Sequence, residues 1–137
     1  MSETFENPPQ RSVARTRAIA ACAVVAAWIV PGLGHLLLGR RGRALAFFLV
    51  VGGLAVVGYF LRGNVFEMRD GAGFGFLGYL ADLGSGIFYF LAHSIEKNGP
   101  NVARAAGDYG TRFIATAGIV NILCAFDAYE IASGLKK

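Results

Sequence analysis

PGLGHLLLGRRGR, residues 31–43, sets a helix-breaking Pro-Gly pair inside an apolar run and closes that run with three arginines in four residues. Proline lacks an amide donor and disfavours helix at the residue before it, so Val30 is expected to end the first helical piece. Glycines 32, 34 and 39 lower the cost of unusual backbone angles around the break. His35 to Leu38 should then form a short turn that delivers Arg40, Arg41 and Arg43 to a membrane surface, since burying even one arginine near the bilayer centre is costly.

Upstream of the break, Ala18 to Val30 gives only 13 residues, about 20 Å of helix against about 30 Å of hydrocarbon. Two solutions are open. The helix extends back past Arg15 and Arg17, whose side chains snorkel, or the segment is a re-entrant hairpin turning at Pro31-Gly32. With four crossings and the N-terminus inside, the sequence places seven Lys/Arg inside and six outside; with a hairpin first segment, nine inside and four outside. The positive-inside rule favours the hairpin.

Composition sets the class. The chain of 137 residues is 55% hydrophobic with a mean hydropathy of +0.50 and 16% charged, where a soluble domain carries about 25% charged residues. Apart from His35, Ala18 to Leu38 carries no ionisable charge over 21 residues, and Ala44 to Leu61 none over 18. Such runs are candidates for crossing a bilayer. The net charge of +4 comes from arginines flanking apolar segments, which are topogenic and headgroup contacts; no basic stripe for nucleic acid is present. Cys22 and Cys124 lie in apolar stretches, and two cysteines with two distant histidines give no metal-ligand spacing. No cofactor is expected.

Along the chain, residues 1–10 read as a disordered tail and 11–137 as one membrane-embedded domain. RSVARTR followed by AIAACAVVAAWIV imitates a signal peptide, but the apolar character continues through HLLL without a clean small-x-small site, so retention is expected. Four hydrophobic segments follow: Ala18 to Leu38, broken at Pro31-Gly32; Ala44 to Leu61; Ala72 to Ile95; and Phe113 to about Ile131. Linkers RGNVFEMRDG and EKNGPNVARAAGDYG separate the last three. No strand alternation is sustained, and backbone groups in lipid must be satisfied within the element. The fold class is therefore all-α, an integral membrane helical bundle.

The stretch PGLGHLLLGRRGRALAFF resembles the motif of small bacterial membrane proteins related to the two-transmembrane-domain family: Pro-Gly-x-Gly-His/Gln, a turn, then Gly-Arg/Lys leading into the next helix. Pro31, Gly32, Gly34, His35, Gly39 and Arg40 match, while Leu37 stands where that family usually has tyrosine. The C-terminal DYGTRFIATAGIVNILCAFDAYEIASG is similar to the end of an uncharacterised bacterial multi-pass family with an Asp-Ala-Tyr-x-Ile-Ala-x-Gly signature. The resemblance covers roughly residues 18 to 134. It implies a multi-pass protein of the bacterial inner membrane, and no reaction.

Several polar residues stand out against the apolar background. Asp82 lies mid-way along the third segment, with Gly78 and Gly86 four residues to either side on one helical face. An ionisable group at that depth is a functional candidate by default. It is read as a structural carboxylate, an ion or proton path, or a group exposed to water by a helix break near GSG. The fourth segment carries a small-residue stripe at Gly118, Asn121, Ala125, Ala128 and Ala132, a face for close packing in which Asn121 adds an interhelical hydrogen bond. Asp127 and Glu130, neighbours on a helix beside Tyr129, are read as an interfacial cap paired with Arg or Lys, or as paired acids. His35 is expected to bond a carbonyl freed by the Pro31 break, and His93 to sit at the interface. GFGFLG at 73–78 matches GxGxxG by letter but lacks the preceding strand of a dinucleotide site.

These readings lead to a non-enzymatic accessory or assembly subunit whose partners are the bilayer and other membrane subunits or a second copy. A proton- or ion-conducting component built on Asp82, and a membrane-embedded enzyme using His35, Asp127 and Glu130, are the alternatives.

Overall fold

The computed structural model describes residues 10–61, 63, 65, 66, 74–95 and 105–136. Among these residues the only regular elements are helices: α1 (Gln10–Ile29), α2 (Leu33–Leu37), α3 (Arg41–Phe60), α4 (Phe74–Gly84), α5 (Ile87–Ile95) and α6 (Ala105–Ala132). The expected tail, apart from Gln10, lies outside the described residues.

The Pro31-Gly32 break is present. α1 ends at Ile29, and Gly32 takes φ +83°, a left-handed conformation that β-carbons disfavour. The chain then folds back, because Gly34 seats against the Ala23 carbonyl and the Ala27 methyl of α1. His35 therefore sits in a short helix, α2, rather than in a turn. Upstream, α1 runs back past Arg15 and Arg17 to Gln10.

Among the described residues the four hydrophobic segments are not matched by four spanning helices. α3 and the Tyr109–Ala132 stretch of α6 are long and apolar enough to cross a membrane, and a third span requires counting α4 and α5 together. Those two helices are bent by 112° at the GSG sequence. Gly86 has φ +62° there, so it leaves the helical face it was expected to share with Gly78 and Asp82. A β-carbon on Gly86 would overlap the Trp28 carbonyl of α1. A break near GSG was one of three readings of Asp82, and continuous apolar composition on both sides could not decide for it. At the other end, α6 begins at Ala105, inside the stretch read as a linker.

α6 is the axis of the molecule. Its Ala125 and Ala128 pack on Ala27 of α1, its Gly118 lies against the Ala81 carbonyl of α4, and its Gly110 and Ile114 meet Gly58 of α3. Small side chains at every crossing let backbones approach closely, the main source of association where lipid is as apolar as leucine. Arg43 near the start of α3 bonds Asp127 near the end of α6, while Gly58 near the end of α3 meets Gly110. The two helices are therefore antiparallel.

The distribution of side chains is the reverse of a water-soluble core. His35, Asp82, Ser85 and Asn121 are all 0% exposed, whereas Leu45 is 60%, Phe126 64% and Phe60 77% exposed. Large apolar groups outside and polar groups inside suit a surround of hydrocarbon.

Candidate functional site

Two polar junctions hold the helices, and both are built from chain breaks. The first lies at the end of α6. The turn at Pro31-Gly32 swings α2 under that end, and the His35 carbonyl accepts the Arg40 amide at 2.8 Å, fixing the route into α3. His35 Nε2 lies 2.8 Å from Asp127 Oδ2, and its Nδ1 lies 3.6 Å from Cys124 Sγ. In the neutral ring, donation from Nε2 to the carboxylate leaves Nδ1 as acceptor for the Cys124 thiol. The Phe47 ring, centred 4.9 Å away, covers the imidazole. Asp127 also accepts from Arg43 Nη1 at 3.3 Å and from Lys136 Nζ, and Lys136 reaches Glu130 at 3.8 Å. One carboxylate thus joins α2, α3, α6 and the residues after α6. Cys124 and Asp127 are one helical turn apart, so both face α2.

The second junction lies at the midpoint of the apolar stretch of α6. Asn121 Nδ2 donates to the Trp28 carbonyl at 2.9 Å and to the Gly84 carbonyl at 2.8 Å. Both acceptors were freed by breaks. The helical partner of Trp28 would be residue 32, beyond the Pro31 turn. The partner of Gly84 would be the Phe88 amide, which bonds Ser85 instead. An unpaired carbonyl in hydrocarbon costs several kcal/mol, so one side chain stabilises the tips of two broken segments.

Asp82 stands next to this junction, fully buried. Its Oδ2 accepts the Phe66 amide at 2.7 Å, and its carbonyl accepts the Ser85 hydroxyl at 2.6 Å. The break at GSG therefore encloses Asp82 and does not open it to water.

The structure brings Pro31, Gly32, Gly34, His35 and Asp127 into one cluster, and Gly86, Asp82 and Asn121 into another. Gly39 (φ +76°) and Arg40 connect α2 to α3 at the surface, Gly78 packs on the Phe66 ring, and Tyr129 and Glu130 are exposed. The Trp28 carbonyl freed by the break goes to Asn121, and His35 bonds Asp127 in place of the expected carbonyl. His93 is exposed and stacks on Tyr89. Sequence reasoning placed Arg43 at a membrane surface and Cys124 in an apolar stretch without assigning either to Asp127, and it expected an Arg or Lys partner for the Asp127–Glu130 pair without naming Arg43 or Lys136. Cys124 lies three residues before Asp127, which was the available signal. Among the described residues no group of three His, Cys, Asp or Glu side chains is placed to hold a metal ion.

A family model described as a family of unknown function, DUF6677, matches residues 22–137, a span holding both junctions. The chain belongs to that family. No curated protein and no solved structure matches it. Membership in this family agrees with the expectation of an uncharacterised family and goes no further. It assigns no activity to DUF6677 members.

Proposed function

We propose that this DUF6677 member is a non-enzymatic accessory or assembly subunit of a bacterial cytoplasmic membrane. It crosses the membrane twice, through α3 and α6, and presents apolar faces to other membrane subunits. The likeness to two-transmembrane-domain proteins belongs to this reading. The observation that supports it is the use of the buried polar groups: Asn121 bonds two chain breaks and His35 bonds Asp127 of a neighbouring helix, so they hold this chain's own helices together, and the large apolar side chains left outside, such as Leu45, Phe60 and Phe126, are what a neighbouring subunit would meet.

Topology follows by parity. Antiparallel α3 and α6 leave α4–α5 beginning and ending on one side, so that bent pair re-enters. α1–α2 re-enters from the opposite side, and the two tips meet at Asn121. The 13 Lys and Arg then divide eight (Arg11, Arg15, Arg17, Arg40, Arg41, Arg43, Lys136, Lys137) against five (Arg62, Arg69, Lys97, Arg104, Arg112), which puts the His35–Asp127 end in the cytoplasm. The division of nine against four expected from the sequence requires α6 to run the other way. Extraction in mild detergent of the tagged chain, expressed at its native level, tests the role. A complex containing a second membrane protein in fixed ratio is expected, and the chain migrating alone rejects the subunit reading.

One observation favours a second reading, a membrane-embedded thiol enzyme. Cys124, His35 and Asp127 follow one another in the order nucleophile, base, orienting acid. Cys124 and His35 are both 0% exposed, which opposes access by a substrate. In a Cys22→Ser background, rapid alkylation of Cys124 in the folded protein would support the enzyme; labelling only after unfolding would reject it.

A further inference from the structure

A groove of about 260 Å³ runs along the outside of the first hairpin, between the Pro31 turn and α3. Its walls are apolar, among them Val30, Pro31, Leu36, Leu45 and Phe48, and Arg41 is the charged residue among those that line it. We propose that this groove is a binding site for one anionic phospholipid, with an acyl chain lying in the groove and the phosphate held by Arg41. The site goes beyond the subunit reading and needs only that the chain is embedded in a bilayer.

Depth and charge both select this occupant. Val30 and Pro31 follow Trp28, whose carbonyl is bonded by Asn121 at the middle of the apolar stretch of α6. Arg41 opens α3, and from Arg41 to Phe48 the helix rises about 10 Å. The groove thus runs from headgroup level toward the bilayer centre, the direction in which an acyl chain lies. Leu36 is 50% and Leu45 60% exposed, so the groove opens sideways to lipid.

Arg41 and Arg43 differ in their commitments. Arg43 bonds Asp127, whereas Arg41 is exposed and forms no salt bridge among the described residues. Its methylene stem can line apolar wall while the guanidinium stays at the surface. Arg40, at the N-cap of α3, makes no side-chain capping bond. The first-turn amides of a 20-residue helix therefore add positive potential at the same level. Basic pockets between membrane helices recognise anionic headgroups, and the apolar walls distinguish a lipid from a free anion.

Trp28 is the single tryptophan, two residues from Val30, so its fluorescence reports bromine on nearby acyl chains. The full-length protein is reconstituted in vesicles of phosphatidylcholine with rising fractions of brominated phosphatidylglycerol or brominated phosphatidylcholine. Half-maximal quenching should need about fivefold less of the anionic lipid. Arg41→Gln should bring that ratio to about one, Arg41→Lys should retain part of it, and Arg17→Gln, outside the groove, should leave it unchanged. Equal quenching by the two lipids, or a preference that survives Arg41→Gln, overturns the proposal. Loss of the preference in excess inorganic phosphate at constant ionic strength would assign the site to a soluble anion and overturn it as well.

Discussion

His35 Nε2 lies 2.8 Å from Asp127 Oδ2 across 92 residues of sequence, joining the Pro-Gly break of the first segment to the C-terminal signature. The bond explains why both stretches carry a polar residue inside apolar surroundings. His35 is fully enclosed and requires an acceptor, and Asp127, with 15% of its side chain exposed, supplies one while drawing Arg43 and Lys136 to the same end.

Removing the shared carboxylate should therefore cost more than removing one of its exposed partners. Asp127→Ala is expected to destabilise the protein by about 2–4 kcal/mol, because a buried imidazole and part of a guanidinium lose their acceptor. Lys136→Ala should cost under about 1 kcal/mol, since the Lys136 side chain is half exposed. Unfolding in detergent measures both, and equal losses would refute the hub role of Asp127.

At the midpoint of the apolar stretch of α6, Asn121→Leu should destabilise by about 1–3 kcal/mol despite its similar volume, because it strands the carbonyls of Trp28 and Gly84. Hydrogen exchange should rise at both breaks together, around residues 28–33 and 84–88. A rise at one break alone would show that Asn121 does not couple them.

The glycines should divide by what surrounds them. A β-carbon at Gly118 overlaps the Ala81 carbonyl, and one at Gly86 meets the Trp28 carbonyl at a positive φ. Gly118→Ala and Gly86→Ala should each cost about 1–3 kcal/mol. Gly53 has open space around it, and Gly53→Ala should be neutral or stabilising by up to about 1 kcal/mol. Thermal stability in detergent that ranks Gly53→Ala below the other two would contradict the packing.

The hairpin topology predicts that Val13 and Gly42 lie on one side of the membrane. Val13→Cys and Gly42→Cys, each in a Cys22→Ser, Cys124→Ala background, should react alike with an impermeant thiol reagent in oriented vesicles. Opposite accessibility would show that the first segment spans.

The sequence by itself determined the helical, membrane-type class and the break at Pro31-Gly32, because both are local properties. Apolar runs require internally satisfied backbone, and a proline cannot donate. The packing face on α6 was legible for a similar reason: small residues at 3/4 spacing fall on one stripe whatever they touch. Only the tertiary structure decided what that stripe touches, that Asn121 closes two breaks, and that His35 turns to Asp127. It also decided that α4 and α5 meet at 112° at Ser85-Gly86, where glycine, tolerated in membrane helices, gives no certain stop. These outcomes rest on pairings between residues up to 93 positions apart. Hydrophobic periodicity constrains which face is buried, whereas the partner of a buried polar group is fixed only when the helices close on one another.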